Sequence, residues 1–395
     1  MAVDPNDPRM AEDKARYFPN PSSPLLKLDK SLLQHYLLQS TTRIIQFCPP
    51  ILPWPSPFRG QTYRGFFVGP TAIAYLFYTL TLSPLTRTLS IEGKSPQEWA
   101  VAYLNLGQED VPPLTDESCG ITNEYLASNA LKACVFKDEK YAKRVLDVLR
   151  DLKTDATWCE WLKGRAGATY LLRMMKHGLP DLSTEIQIVI KQMIEEILPQ
   201  QPWSWDGRQY LGTVHGDIGI ITQIVLSDPT YAPQLRDKLA SLITQQGEDG
   251  NWPVVPDKDI GLVQFCHGAP GMIISLLAIR PYFPGLDQEI ENAIVRGRQC
   301  IWERGLLVKE PNICHGITGN ALPLEGEQRE HFLAMATPDL VDEGVENERW
   351  EKDEDRYGVL WGEAGRAWVW AEEGRENVGE VEGRGEGRCP LFTDF

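Results

Sequence analysis

Cys266-His267-Gly268-Ala269-Pro270-Gly271 and Cys314-His315-Gly316-Ile317-Thr318-Gly319-Asn320 place a sulfur and an imidazole side by side, just ahead of two glycines three residues apart. Upstream, Val214-His215-Gly216-Asp217-Ile218-Gly219 and Leu162-Lys163-Gly164-Arg165-Ala166-Gly167 have the same glycine spacing, and Leu360-Trp361-Gly362-Glu363-Ala364-Gly365 repeats it downstream. Weaker copies stand at Phe67-Val68-Gly69-Pro70 and Cys119-Gly120-Ile121. The first glycines fall at 69, 120, 164, 216, 268, 316 and 362, at intervals of 51, 44, 52, 52, 48 and 46 residues. Near-constant spacing of this kind is the mark of an internal repeat, here sevenfold.

Most motifs run into an apolar stretch, as at 73–80, 169–175, 220–226 and 272–279. Between them lie amphipathic stretches with helical periodicity, at 139–152, 184–198, 234–244 and 286–302. Alternating strand patterns are scarce. The unit is therefore outer helix, loop, glycine motif, inner helix. A helix apolar on most faces must be buried, and one helix pair cannot bury it alone. The expectation is an all-α fold, an α/α toroid of seven helical-hairpin repeats with the glycine loops gathered at one end, where function should sit. An open solenoid ranks second, because it would not bring loops five and six opposite loop four.

Residues 1–60 are expected to form an N-terminal segment and first outer helices packing on a single barrel domain over 61–395. Pro323 should end the sixth inner helix early. An irregular acidic insertion is expected over about 323–356, and an exposed flexible stretch over about 372–388. The second repeat has Asn123 where its second glycine belongs. Pro390-Leu391-Phe392 is expected to dock back and cap the ring.

The net charge of −16 argues against a nucleic-acid-binding surface, which needs a basic footprint. No stretch is long and apolar enough to span a membrane; the best, 66–82, is broken by Gly69 and Pro70. The first 25 residues lack the apolar core of a secretory signal. A reduced, cytoplasmic setting is the expectation for the eight cysteines, with peripheral contact at the plasma membrane left open. That setting disfavours a Cys266–Cys314 disulfide. Soft sulfur and nitrogen donors suit zinc, but pairs 48 residues apart cannot make a local finger.

On these strings, in this order and spacing, and on Gly250-Asn251-Trp252-Pro253 and Arg16-Tyr17-Phe18-Pro19-Asn20-Pro21, the chain resembles the eukaryotic lanthionine synthetase C-like proteins over nearly its whole length. The resemblance implies a zinc-containing α/α barrel with Cys266, Cys314 and His315 as ligands, His267 not among them, and a fourth position for water or a substrate thiol. It makes His215 the acid/base residue. Lys309, five residues before Cys314, and Arg16 would offer positive charge to a phosphate leaving group or to glutathione carboxylates. The implied activity is zinc-dependent addition of glutathione to dehydroalanine or dehydrobutyrine residues of proteins or peptides, forming a thioether. A zinc-containing glutathione-binding or signalling adaptor without turnover is the alternative. A sugar-processing toroid ranks low, because Asp217 is the lone candidate loop carboxylate.

Overall fold

The computed structural model describes residues 16–20, 24–52, 64–106, 118–152, 158–256, 258, 260–352, 356–379 and 387–395. Fifteen α-helices occur among them: α1 (Leu33–Phe47), α2 (Pro70–Thr81), α3 (Pro96–Leu104), α4 (Glu124–Phe136), α5 (Glu139–Arg150), α6 (Arg165–Gly178), α7 (Ser183–Ile197), α8 (Asp217–Ser227), α9 (Ala232–Thr244), α10 (Ala269–Ile279), α11 (Asp287–Arg304), α12 (Ile317–Ala321), α13 (Gly326–Ala334), α14 (Pro338–Glu346) and α15 (Glu363–Asn377). The described residues contain isolated β-bridges and no longer strand. None of the described helices is long and apolar enough to cross a membrane.

The helices sort into two layers by what they bury. The outer α5 hides only Ala142, Val145, Leu146 and Leu149, a single stripe at helical spacing, and leaves its charged side to solvent. The inner α10 has no charged residue and is buried on nearly every face. Helices α2, α4, α6, α8, α10, α12 and α15 each follow a glycine loop and form the inner layer. Successive members pack from α15 to α2, α4, α6, α8 and α10.

The repeated glycines hold these inner helices against their own loops. A Cβ on Gly271 would lie 2.0 Å from the Phe265 carbonyl oxygen, and one on Gly319 would lie 1.9 Å from that of Ile313. Only glycine tolerates that approach, which recurs six residues back in each full motif. The second unit solves the problem differently. There the helix starts after Asn123, whose side chain caps α4 by accepting from the Leu126 amide at 2.9 Å.

Each inner helix packs on the outer helix that follows it, as α2 on α3, α6 on α7 and α10 on α11. The hairpin therefore runs inner to outer, one half-step offset from the unit read in the sequence. The seventh inner helix, α15, takes α1 as its outer partner, so the first helix closes the ring. Within 1–60 the described residues hold one α-helix, not several.

Two further expectations need correction. The 323–356 region is not an irregular insertion: after α12 ends at Ala321, α13 and α14 bury Phe332, Leu333 and Val341 and supply the outer layer of the sixth unit. Among its described acids, Asp342 meets Arg43 of α1 at 2.7 Å, Glu325 meets Arg298 of α11 at 2.5 Å and Glu330 meets Lys30 at 2.7 Å. Nor is all of 372–388 an exposed loop. Helix α15 continues to Asn377, held by ion pairs of Glu373 with Arg329 and of Glu372 with Arg375 and Arg388. The rest of that stretch, 380–386, lies outside the described residues.

Candidate functional site

The glycine loops are stitched to one another at one end of the barrel. The Phe66 amide donates to Ile121 O at 2.9 Å, Thr122 N to Leu162 O at 3.1 Å, Cys266 N to Cys314 O at 3.1 Å and Cys314 N to Leu360 O at 2.8 Å. Thr213 Oγ1 bonds the Phe265 carbonyl, and the Phe67 and Trp361 rings meet edge-on at 5.1 Å. Within this ring of loops lies a cavity of about 130 Å³. Its walls include Cys266, His267, Lys309, Cys314, His315 and Trp361. Five sequence-predicted or adjacent polar residues from units five and six thus meet at one place.

The two sulfurs are partners. Burial opposes ionisation of Cys266, but the hydrogen bond with Cys314 and the Lys309 charge hold its thiol below the usual value. That same hydrogen bond, with burial, pushes Cys314 well up. Gln264 Nε2 donates to Cys266 Sγ at 3.2 Å. The two thiols thus differ in acidity, with Cys266 the readier of the pair to ionise. The His315 ring lines the same cavity and lies edge-on to Trp361 at 5.2 Å. Among the described residues no three His, Cys, Asp or Glu side chains stand grouped as a metal-holding cluster. The donor types nonetheless fit zinc: two sulfurs and an imidazole line one cavity.

His267 has a different setting. It is 1% exposed, faces the Tyr210 ring at 5.8 Å, and burial drives its pKa down to about 3. Although its chain neighbour Val214 lines the cavity, His215 does not. It is 3% exposed and stacks face to face on Trp205 at 3.9 Å. Glu160 Oε2 approaches its Nδ1 to 3.3 Å, but neither buried ring nitrogen completes a hydrogen bond. Burial lowers the His215 pKa, and the Glu160 carboxylate only partly offsets this. The resting imidazole is neutral. Trp205 and Tyr210, the two rings against it, belong with Val254 and Leu262 to a small apolar cluster separate from the barrel core.

Backbone pairing fixes the Arg16 segment beside the stretch of chain that leads to Lys309, although Arg16, unlike Lys309, does not line the cavity. Phe18 N donates to Leu306 O at 2.7 Å and Val308 N to Arg16 O at 3.1 Å; Glu351 N in turn donates to Val308 O at 2.8 Å. The Arg16 guanidinium bonds the Ile260 carbonyl. Buried Glu310, beside Lys309, anchors this segment by accepting from Arg356 Nε with both oxygens at 2.9 and 3.0 Å.

Sequence reading missed Glu160, Gln264 and Trp205. Glu160 offered one signal: a lone acid in the otherwise uncharged Cys159-Glu160-Trp161-Leu162, four residues before a motif glycine. Its carboxylate is held by the backbone amides of Leu162 and Lys163, so the loop itself aims it.

A double-layered helical barrel with sulfur and imidazole groups gathered at its loop end is the type of molecule defined here. Residues 119–330 match the family model for lanthionine synthetase C-like protein, and the chain belongs to that family. It is 32% identical over 186 residues to glutathione S-transferase LANCL1 of Danio rerio, covering 41% of this chain and 44% of that protein. It is 26% identical over 187 residues to LanC-like protein GCL1 of Arabidopsis thaliana, covering 42% and 41%. The matched segments thus span less than half the length of these curated relatives. Among solved structures, nisin cyclase shares the fold with a TM-score of 0.52 at 14% identity, over 89% of this chain and 94% of that one.

Proposed function

We propose that the chain joins the thiol of glutathione to dehydroalanine or dehydrobutyrine residues of peptides or proteins, forming a thioether. The carrying observation is that one loop-lined cavity gathers the Cys266–Cys314 sulfur pair, His315 and Lys309; His215 lies outside the lining and shares the Tyr210 ring as a neighbour with the cavity's His267. Family membership and the name of the glutathione S-transferase relative support the reading. Cys266, Cys314 and His315 would hold zinc, which when bound lowers the pKa of a thiol ligand and so supplies thiolate at neutral pH.

The protein's own groups account for the remaining steps. Lys309 and Arg16 bring positive charge to the carboxylates of glutathione or to a phosphate on the partner peptide. The thiolate adds to the alkene β-carbon, and the electron pair moves onto the α-carbon and its carbonyl. The proton released by the thiol balances the one gained at the α-carbon. His215, neutral at rest, takes up that proton and returns it through Nε2, while Glu160 stabilises the imidazolium in between. Trp205 fixes the plane of the imidazole throughout.

The test is mass spectrometry of a dehydrobutyrine peptide incubated with glutathione and zinc-loaded protein. A gain of one glutathione that disappears with Cys314→Ala and with His215→Ala is the expected result. No adduct from protein that demonstrably holds zinc would turn the reading to glutathione binding without turnover.

A further inference from the structure

The segment 387–395 does more than cap the ring, since it enters the barrel between the inner helices. Arg173 of α6, itself buried, donates to Phe392 O at 2.8 Å and to Phe395 O at 2.9 Å. Gln223 of α8 also reaches Phe392 O, at 2.9 Å. The Phe392 ring sits directly beneath the site loops. It meets Trp161 edge-on at 5.3 Å and Phe265 edge-on at 5.4 Å, and those two rings meet each other at 6.0 Å. Trp161 follows Glu160, the partner of His215, and Phe265 precedes Cys266. Trp161 is held from below a second time, since its Nε1 donates to Leu391 O at 3.1 Å.

We infer that Phe392 is a positioning residue: its ring is the common floor that keeps the Glu160 loop and the Cys266 loop in register. Edge-to-face contacts fix ring orientation as well as separation, so one side chain sets the placement of two loops at once. The functional part of this inference rests on the thioether-forming reading above. Its structural part does not.

Phe395 provides the internal control. It belongs to the same segment but packs lower, against Tyr78, Tyr170 and His177. Removing all of Phe392 risks misfolding, so Phe392→Leu and Phe392→Met are compared with Phe395→Leu, each keeping most of the buried volume. Hydrogen–deuterium exchange is followed in peptides covering 158–163 and 262–267, alongside kcat and KM for glutathione addition. Both Phe392 variants should exchange faster in these two loops, with kcat down about tenfold or more and KM little changed, as expected for misplacement rather than lost binding. Phe395→Leu should leave both loops protected. Wild-type exchange in the Phe392 variants, or an equal rise with Phe395→Leu, overturns the inference. If the wild-type protein adds no glutathione, the thioether reading fails, and the exchange comparison still decides whether Phe392 holds the loops.

Discussion

Adjacent glycine loops of the barrel bury two glutamates in contrasting ways. In the third unit, Glu160 takes its hydrogen bonds from its own loop and turns toward an imidazole. In the second, Glu124 accepts from Gly65 N at 2.8 Å and Thr71 Oγ1 at 2.7 Å, tying the first unit to the second. The contrast holds around the ring. Units three to six carry Glu160, His215, Cys266 and the Cys314-His315 pair beside loop-to-loop ties of their own, whereas Glu124 serves as a tie alone. One backbone arrangement thus holds the ring together throughout and carries the candidate chemistry on one side. The side chain at a repeated position, and not the repeat, decides which.

The sharpest way to break the contrast is on the sulfur pair. Cys314→Ala or Cys266→Ala should abolish both stoichiometric zinc, read by atomic absorption, and thioether formation, while helical content by circular dichroism is kept. His215→Ala should keep zinc and lower kcat by about 10²–10⁴-fold, the usual range for a positioned acid/base group. Glu160→Gln should fall in the same direction by less. The two Cys-His pairs supply a finer test. His315→Ala should lose zinc under dialysis, and His267→Ala should retain it, because only the former is read as a ligand. Equal retention would place the metal elsewhere.

The smallest effect is expected on the other side of the ring. Burial raises the Glu124 pKa to about 7, against the opposing hydrogen bonds from Thr71 and Gly65. The folded protein then holds a proton that the unfolded chain, titrating at its ordinary carboxyl value, has released. Stability should therefore fall as pH rises from about 4.5 through about 7, by up to about 3 kcal/mol. Denaturant melts of Glu124→Gln should lack that slope, with activity per folded molecule unchanged. A changed kcat would erase the division between the two sides.

The barrel and its loop end were legible because sevenfold spacing leaves a mark that no single residue carries. The family model and the shared fold of nisin cyclase agree with that reading. That Cys266, Cys314 and His315 meet was legible through motif order, whereas Lys309 at the same cavity was pointed to by the family resemblance alone. Glu160 was not, since its role depends on a loop contact between units and not on local pattern. The hairpin phase was also hidden. Inner and outer helices alternate in the sequence whichever neighbour they pack on, and it takes the contacts of α2 with α3, α6 with α7, α10 with α11 and α15 with α1 to distinguish the two. Likewise, 372–377 reads as low-complexity acid and glycine, and stays helical through cations contributed by Arg329 and Arg388 from distant segments.

The α1–α15 seam also bears on how such a molecule is made. Gln39 Nε2 and Asp339 Oδ1, across this region, meet at 2.5 Å although 300 residues separate them. During synthesis from the amino end, α1 has no inner partner until α15 has left the ribosome, and the earlier units persist as an open arc with apolar inner faces uncovered. Contacts of such long sequence range form late, and arcs of this kind are the species most exposed to aggregation. Closure of the seam should be the slow, final event of folding, and the step at which a chaperone matters most.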